Sequence, residues 1–169
     1  LIKSKQIKSL PDYCTGVEVG LDSNGRKNRG GTQMEQLVES FVAIFCHENN
    51  LEYLAQANAK KIKDTWNINL KVDKSSRIID FVIYQKQEQK LFFIEVNLYN
   101  GGGSKLKSTA TEYIEMSRFW YVQNVEFIWV TDGKGWISTQ NPLKDYFERG
   151  NLLINIVMLQ NGYLEKIIL

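Results

Sequence analysis

Long apolar runs are absent from this 169-residue chain: no stretch approaches the roughly 20 apolar residues that cross a bilayer. We also find no signal peptide ahead of the domain. Cysteine is scarce, because Cys14 and Cys46 are the only two and their spacing fits no metal site. These absences argue against a membrane span and a disulfide framework. They predict a protein with reduced thiols that works in the cytoplasm.

An excess of charge of one sign is also absent. The chain has 21 Lys and Arg residues against 19 Asp and Glu residues, so its net charge is only +2. That balance does not by itself indicate nucleic-acid binding, which depends on local clusters of basic residues. Histidine occurs once, at His47, near a predicted helix end among polar residues. We therefore expect no catalytic histidine.

An acid stands inside an apolar strand that leads into a glycine loop. Residues 93–99 read Phe-Ile-Glu-Val-Asn-Leu-Tyr, and an asparagine and three glycines follow. Side-chain alternation places Glu95, Asn97 and Tyr99 on one face of this strand. Residues 77–84 have the pattern of a second strand with Asp80 near its start, and the polar run 85–90 joins the two. The sequence therefore predicts a hairpin that brings Asp80 and Glu95 together.

Two neighbouring carboxylates need a counter-ion. At about 4 Å they repel by roughly 1 kcal/mol in water and about 4 kcal/mol at an effective dielectric of 20. Mg²⁺ prefers such hard oxygen ligands and also accepts phosphate oxygens from a substrate, so the pattern indicates metal-assisted phosphodiester hydrolysis. The plainer alternatives are a bond from Asp80 to Arg77 or to the backbone, and a salt bridge for Glu95.

The periodicity of the rest of the chain predicts one α/β domain, with a mixed central sheet flanked by helices. Apolar residues from Met34 onward follow one helix face, and that helix should end near residues 47–50. Residues 105–120 suggest a second helix, whose inner side carries Leu106, Ala110, Tyr113, Ile114 and Ser117. Residues 125–130 and 152–159 suggest two buried strands, and Asn141-Pro142 the start of a short helix. Residues 1–31 are rich in turn signals, so we expect an irregular N-terminal segment with a basic loop.

The acid at a strand start, the hairpin and then Glu95-Val96-Asn97 resemble the core of the PD-(D/E)xK nucleases, whose second motif is Glu-x-Lys. Two longer stretches, residues 20–35 and 94–106, resemble the DpnII/MboI-type restriction endonucleases. The likeness extends over residues 20–169. It implies a restriction-endonuclease-like core and a single nuclease domain over residues 1–169. Because family members are longer, we expect an N-terminal region to be missing from this chain.

The resemblance also implies an activity: a type II endonuclease that cuts duplex DNA at 5′-GATC, ahead of the G. It implies Mg²⁺ as cofactor, a homodimer, and a companion DNA adenine methyltransferase. Asp80, Glu95 and the Val96 carbonyl would hold the metal. Other interpretations are a structure-specific or repair nuclease on the same fold, and a DNA-binding module with a decayed site.

Asn97 departs from the superfamily pattern, because it stands where a lysine is usual. An amide is neither a base nor a cation, so either Asn97 only orients water and metal or a nearby cation replaces the lysine. Lys105 is our candidate for that replacement. The alternative, given equal weight, is that Asn97 only hydrogen-bonds a neighbouring loop.

Two segments are candidates for DNA contact. The first is a basic cluster between glycines, formed by Arg26, Lys27, Asn28 and Arg29. We expect it to contact phosphates more than base edges, and its alternative is a solvated loop. The second is the glycine turn, with Gly102, Ser104 and Lys107, because a glycine loop at a helix start can bind phosphate. Its alternative is a plain strand-to-helix turn.

Two roles compete for Glu35. Thr32-Gln33-Met34-Glu35 matches the capping box, in which the first and fourth residues satisfy N–H groups at a helix start. The other role is a place in the metal site, as a helix glutamate has in many nucleases of the superfamily. We favour a contribution to the site.

Overall fold

The computed structural model describes the backbone of residues 26–169 and the side chains of residues 30–169. Cys14 and most of the predicted irregular segment lie outside the described residues. In chain order the elements are α1 (Arg26–Glu48), β1 (Glu52–Ala57), α2 (Ala59–Trp66), β2 (Ile79–Gln85), β3 (Lys90–Leu98), α3 (Ser104–Tyr121), β4 (Val125–Asp132), a 3₁₀ helix (Lys134–Ser138), α4 (Gln140–Glu148), β5 (Leu152–Ile154), α5 (Ile156–Gln160) and α6 (Tyr163–Ile168).

The five strands form one mixed sheet in the order β1-β2-β3-β4-β5. Strands β1, β2 and β3 are antiparallel neighbours, whereas β3, β4 and β5 run parallel. The β2–β3 hairpin pairs Phe81 with Ile94 at one end and Gln85 with Lys90 at the other. The predicted hairpin and the predicted mixed sheet are both confirmed.

Helices cover both faces of the sheet. Because side chains alternate between the two faces along each strand, they pack into two separate cores. One core lies under α1, α5 and α6 and contains Val38, Val42, Phe81, Ile94 and Val130 among others. The other lies under α2, α3 and α4 and contains Ile62, Phe93, Leu106, Trp129 and Tyr146 among others. The apolar faces predicted for α1 and α3 are confirmed, and Glu95 and Asn97 alternate with residues of the first core.

The start of α1 differs from the prediction. The helix begins at Arg26, so residues 26–31 are helical and the predicted irregular boundary at Gly31 is wrong. A Cβ on Gly30 would lie 3.3 Å from Leu98 Cδ2 and 3.7 Å from Asn100 Nδ2. Gly30 thus permits close packing against the end of β3, whereas the sequence suggested a turn. Thr32 lies inside the helix and cannot cap its start, so the capping-box interpretation of Glu35 is wrong as well.

Three smaller differences concern the sheet edges and the last helices. Strand β1 was not predicted, because its sequence lacks a clear apolar alternation. The strand predicted over residues 152–159 ends at Ile154, since the Asn155 side chain accepts the Met158 N–H at 2.9 Å and caps α5. Helix α4 begins at Gln140, so Pro142 lies within its first turn rather than at its first position.

Cys46 lies on the buried face of α1 and is a free thiol. Burial raises the pKa of Cys46 to about 12, which keeps the thiol protonated and unreactive near neutral pH. None of the helices in residues 26–169 combines the length and the apolar character that a bilayer crossing requires.

Candidate active site

Asp80 lies where the β2–β3 ladder ends. The last backbone pair joins Phe81 to Ile94, and beyond it Asp80 Oδ2 accepts the Val96 N–H at 2.8 Å. Asp80 therefore does bond to the backbone, as one alternative predicted, and its partner lies on the strand that carries Glu95. Arg77 instead pairs with Asp73 and Glu112, at 2.5 Å and 3.0 Å. The bond holds the Asp80 carboxylate at the head of the hairpin.

Gln56 holds the other oxygen of Asp80, and sequence reasoning missed it. Its Nε2 donates to Asp80 Oδ1 at 3.1 Å. Gln56 has a φ of 48°, in the left-handed region, and it interrupts the regular pairing of β1 with β2. A non-glycine residue in this conformation costs on the order of 1–3 kcal/mol and is found often at functional sites. Only the tertiary structure shows that this strained residue faces an acid.

Glu95 is a buried carboxylate with one unused oxygen. Its side chain is 8% exposed, and Tyr113 Oη donates to Oε2 at a long 3.3 Å. The other oxygen, Oε1, is buried and has no hydrogen-bond partner among the described residues. Burial, followed by the charge of Asp80, raises the pKa of Glu95 to about 8, and Arg77 opposes that rise. An unpartnered buried carboxylate oxygen fits a ligand position for a hard cation.

Glu35 lies on α1, within electrostatic reach of Asp80. It is half-buried, and its pKa is raised first by burial and then by the charge of Asp80. Within residues 30–169, no three His, Cys, Asp or Glu side chains converge into a ready-made metal cage. The donors still suit Mg²⁺, which takes one or two carboxylates and completes its shell with water and phosphate oxygens.

Asn97 is held by strand β4 rather than by a loop. Trp129 Nε1 donates to Asn97 Oδ1 at 3.0 Å, and the Thr131 hydroxyl donates to the Asn97 carbonyl at 3.0 Å. Indole N–H is a donor only, so the Asn97 amide nitrogen is turned away from Trp129. Burial raises the pKa of the Tyr113 hydroxyl, and the Asn97 side chain beside it opposes that rise.

Lys105 lies in the first turn of α3 with an exposed side chain. Among the described residues it forms no ion pair with Asp80 or Glu95, and the cation that opposes the pKa rise of Glu95 is Arg77. The structure therefore brings Glu35, Asp80, Glu95 and Asn97 to one region, whereas Lys105 forms no ion pair with these carboxylates in the described part of the chain. Its role as the replacement cation stays a prediction.

An open groove of about 560 Å³ lies between the starts of α3 and α4, and Ser104 and Lys107 line it. A Cβ on Gly102 would clash with Ser138 Oγ and lie 3.0 Å from Thr139 Oγ1. Packing against the 3₁₀ helix is therefore enough to explain this glycine, in agreement with the alternative of a plain strand-to-helix turn. The side chains of Arg26, Lys27, Asn28 and Arg29 lie outside the described residues. DNA contact by either segment stays a prediction.

The model of the DpnII restriction endonuclease family matches residues 1–166. The chain is 48% identical to the type II restriction enzyme MjaIII of Methanocaldococcus jannaschii, over 99% of this chain and 59% of that enzyme. It is 37% identical to the type II restriction enzyme DpnII of Streptococcus pneumoniae, again over 99% of this chain and 59% of the relative. The chain thus spans about three fifths of the length of these relatives.

The crystal structure of MunI restriction endonuclease in complex with cognate DNA is a distant structural neighbour. The two share 12% sequence identity with a TM-score of 0.41, over 92% of this chain and 95% of MunI.

The family match extends over nearly the whole chain and includes both segments that carry Asp80 and Glu95. The chain therefore belongs to the DpnII restriction endonuclease family.

Proposed function

We propose that this protein is a type II restriction endonuclease that hydrolyses duplex DNA at 5′-GATC, ahead of the G, in a Mg²⁺-dependent reaction. The observation that carries the proposal is the acidic pair, in which Asp80 is anchored to Val96 and the buried Glu95 Oε1 has no hydrogen-bond partner among the described residues. Family membership supports DNA as the substrate. The GATC site rests on the resemblance of residues 20–35 and 94–106 to the DpnII/MboI type.

Asp80 and Glu95, with the Val96 carbonyl, would hold the metal ion, and Glu35 would add negative charge beside Asp80. Bound Mg²⁺ supplies Lewis-acid activation of the phosphate and lowers the pKa of a bound water. The protein itself fixes the two carboxylates: Val96 and Gln56 donate hydrogen bonds to Asp80, and Tyr113 donates one to Glu95. Lys105 would offset charge on the DNA from the start of α3.

We also propose that the protein acts as a homodimer. GATC reads the same on both strands, so a two-fold symmetric dimer would present one acidic pair to each strand. A companion DNA adenine methyltransferase would protect the cell's own GATC sites, and both proteins would work in the cytoplasm.

The proposed function is tested by incubating the protein with unmethylated plasmid DNA and Mg²⁺ and then sequencing the cut ends. We expect every end to lie ahead of the G of GATC. Ends that cluster at branched or damaged positions instead would favour a repair or structure-specific nuclease. Tight DNA binding without any cut would favour a module with a decayed site.

Glu35→Gln is expected to fold normally and to need several-fold more Mg²⁺ for half-maximal cleavage. The glutamine keeps the shape of the side chain and removes a negative charge that lies within electrostatic reach of Asp80. Thermal unfolding and a Mg²⁺ titration of the cleavage rate measure the two effects. Glu39→Gln, one turn along α1, is the matched control. Identical Mg²⁺ dependence in both variants would remove Glu35 from the site.

Replacing Arg26, Lys27 and Arg29 together by alanine is expected to weaken DNA binding and to flatten its salt dependence. Each lost phosphate contact lowers the slope of log K against log salt by about 0.9. Fluorescence anisotropy at several salt concentrations, without divalent metal, measures the slope. Lys86, Lys90 and Lys166 lie at the opposite end of the sheet, so their triple alanine variant is the control. Equal slopes for the two variants would place the basic cluster away from DNA.

A further inference from the structure

Two hydrogen bonds from buried rings hold Asn97 and Glu95 beside the candidate metal site. The Trp129 indole donates to Asn97 Oδ1 at 3.0 Å, and the Tyr113 hydroxyl donates to Glu95 Oε2 at 3.3 Å. Burial raises the pKa of the Tyr113 hydroxyl, and the neighbouring Asn97 side chain opposes that rise. The orientation of Glu95 therefore depends on the fixed position of the Tyr113 ring.

The Trp129 and Tyr113 rings have little freedom to move. Trp129 is fully buried and Tyr113 is 6% exposed. The Tyr113 ring packs edge-on against Trp129 and Phe127, with centroids 5.0 Å and 5.2 Å apart. Edge-to-face contacts of this kind fix ring orientation as well as position. The Tyr113 hydroxyl is thus held at one place beside Glu95.

We propose that Tyr113 is a positioning residue of the metal site, which holds Glu95 by Oε2 and leaves Oε1 directed to the metal, and that Asn97 acts through Tyr113. The proposal deepens the proposed function and rests on it. It gives Asn97 a physical reason to stand where a lysine is usual. A lysine ammonium has no acceptor for the Trp129 N–H, whereas an amide accepts from Trp129 and still has N–H groups to offer the neighbouring Tyr113 hydroxyl.

The proposal predicts that removing one hydroxyl weakens metal binding. Tyr113→Phe keeps the ring packing and deletes only the bond to Glu95. Loss of a partner that orients a metal ligand typically lowers metal affinity or activity by about 10- to 100-fold. Tyr99→Phe is the matched control, because its hydroxyl also bonds to α3, at Thr109 Oγ1, 3.0 Å away. Both variants lose one hydroxyl bond, but only Tyr113→Phe touches a carboxylate.

Calorimetric titration of the metal-free protein with Mn²⁺ measures metal binding without any cleavage. We expect Tyr113→Phe to raise the Mn²⁺ Kd about 10- to 100-fold and to raise the Mg²⁺ requirement for cleavage in parallel. Tyr99→Phe should match the wild type in both, with a Tm lowered as much as in Tyr113→Phe. Wild-type Mn²⁺ affinity in Tyr113→Phe would overturn the proposal.

Two further variants separate the possible failures. If Glu95→Gln loses Mn²⁺ binding while Tyr113→Phe keeps it, the positioning role is wrong and the proposed function stands. If Glu95→Gln binds Mn²⁺ like the wild type, the metal site is wrong and the positioning role falls with it. Adding Asn97→Leu to Tyr113→Phe should cost no further Mn²⁺ affinity, because Asn97 acts through the missing hydroxyl. A further multiplicative loss would assign Asn97 a direct role and overturn that part.

Discussion

Glu95→Gln is expected to abolish DNA cleavage and, at the same time, to stabilise the metal-free protein at pH 8. Burial and the charge of Asp80 raise the pKa of Glu95 from 4.5 to about 8 in the folded protein. Between these two values the folded state holds a proton that the unfolded state releases, so wild-type stability falls as the pH rises. Glutamine carries no charge and avoids that loss.

The expected gain in stability at pH 8 is on the order of a few kcal/mol, because each pKa unit corresponds to about 1.4 kcal/mol. Urea unfolding in EDTA at pH 5 and pH 8 measures it, and the gain should be far smaller at pH 5. Glu126→Gln is the control, since Glu126 is half-buried on β4 and pairs with Lys90 at 3.2 Å. Destabilisation by Glu95→Gln at pH 8 would mean that the wild-type carboxylate is well compensated without metal.

Asp80→Asn is expected to abolish cleavage with little loss of stability, whereas Asp80→Ala should lose both. Asparagine keeps one acceptor for the Val96 N–H, and Gln56 can rotate its amide to accept from the new N–H group. Alanine leaves the Val96 N–H without its acceptor, which costs about 1–3 kcal/mol for a buried donor. Cleavage assays and urea unfolding of both variants measure the difference.

Cleavage by Asp80→Asn at the wild-type rate would remove Asp80 from the metal site. Equal destabilisation by the asparagine and alanine variants would show that the carboxylate, rather than an acceptor at this position, holds the hairpin head. The two variants thus test separately what Asp80 does for the fold and what it does for the chemistry.

The parts of the fold that were predicted from sequence have strong local periodicity. Side chains along the two strands of the hairpin enter the two cores in turn, and α1 and α3 each bury one apolar face. Burial therefore dictates the structure of these elements. The start of α1 was mispredicted because Gly30 packs closely against Leu98, which is distant in the sequence. Strand β1 was missed because its pairing with β2, and not its own pattern, makes it a strand.

The candidate site was predictable to a similar extent and for a similar reason. Asp80 and Glu95 stand out because a charge in an apolar strand needs an explanation. Tyr113 was assigned to the inner face of its helix, which is correct, but its hydroxyl bond to Glu95 depends on the packing of α3 on the sheet. Gln56 gave no signal at all, because its left-handed backbone arises only in the folded sheet.

The most direct test of the proposed site uses a short duplex with one unmethylated GATC and a matched duplex in which that site is scrambled. The wild type and Glu95→Gln are each mixed with both duplexes, in Mg²⁺ and in EDTA, and binding and cleavage are measured in the same samples. We predict that only the wild type cuts, only at GATC and only with Mg²⁺, while Glu95→Gln binds the GATC duplex and leaves it intact. Cleavage by Glu95→Gln at the wild-type rate, or wild-type cleavage in EDTA, would contradict the assignment.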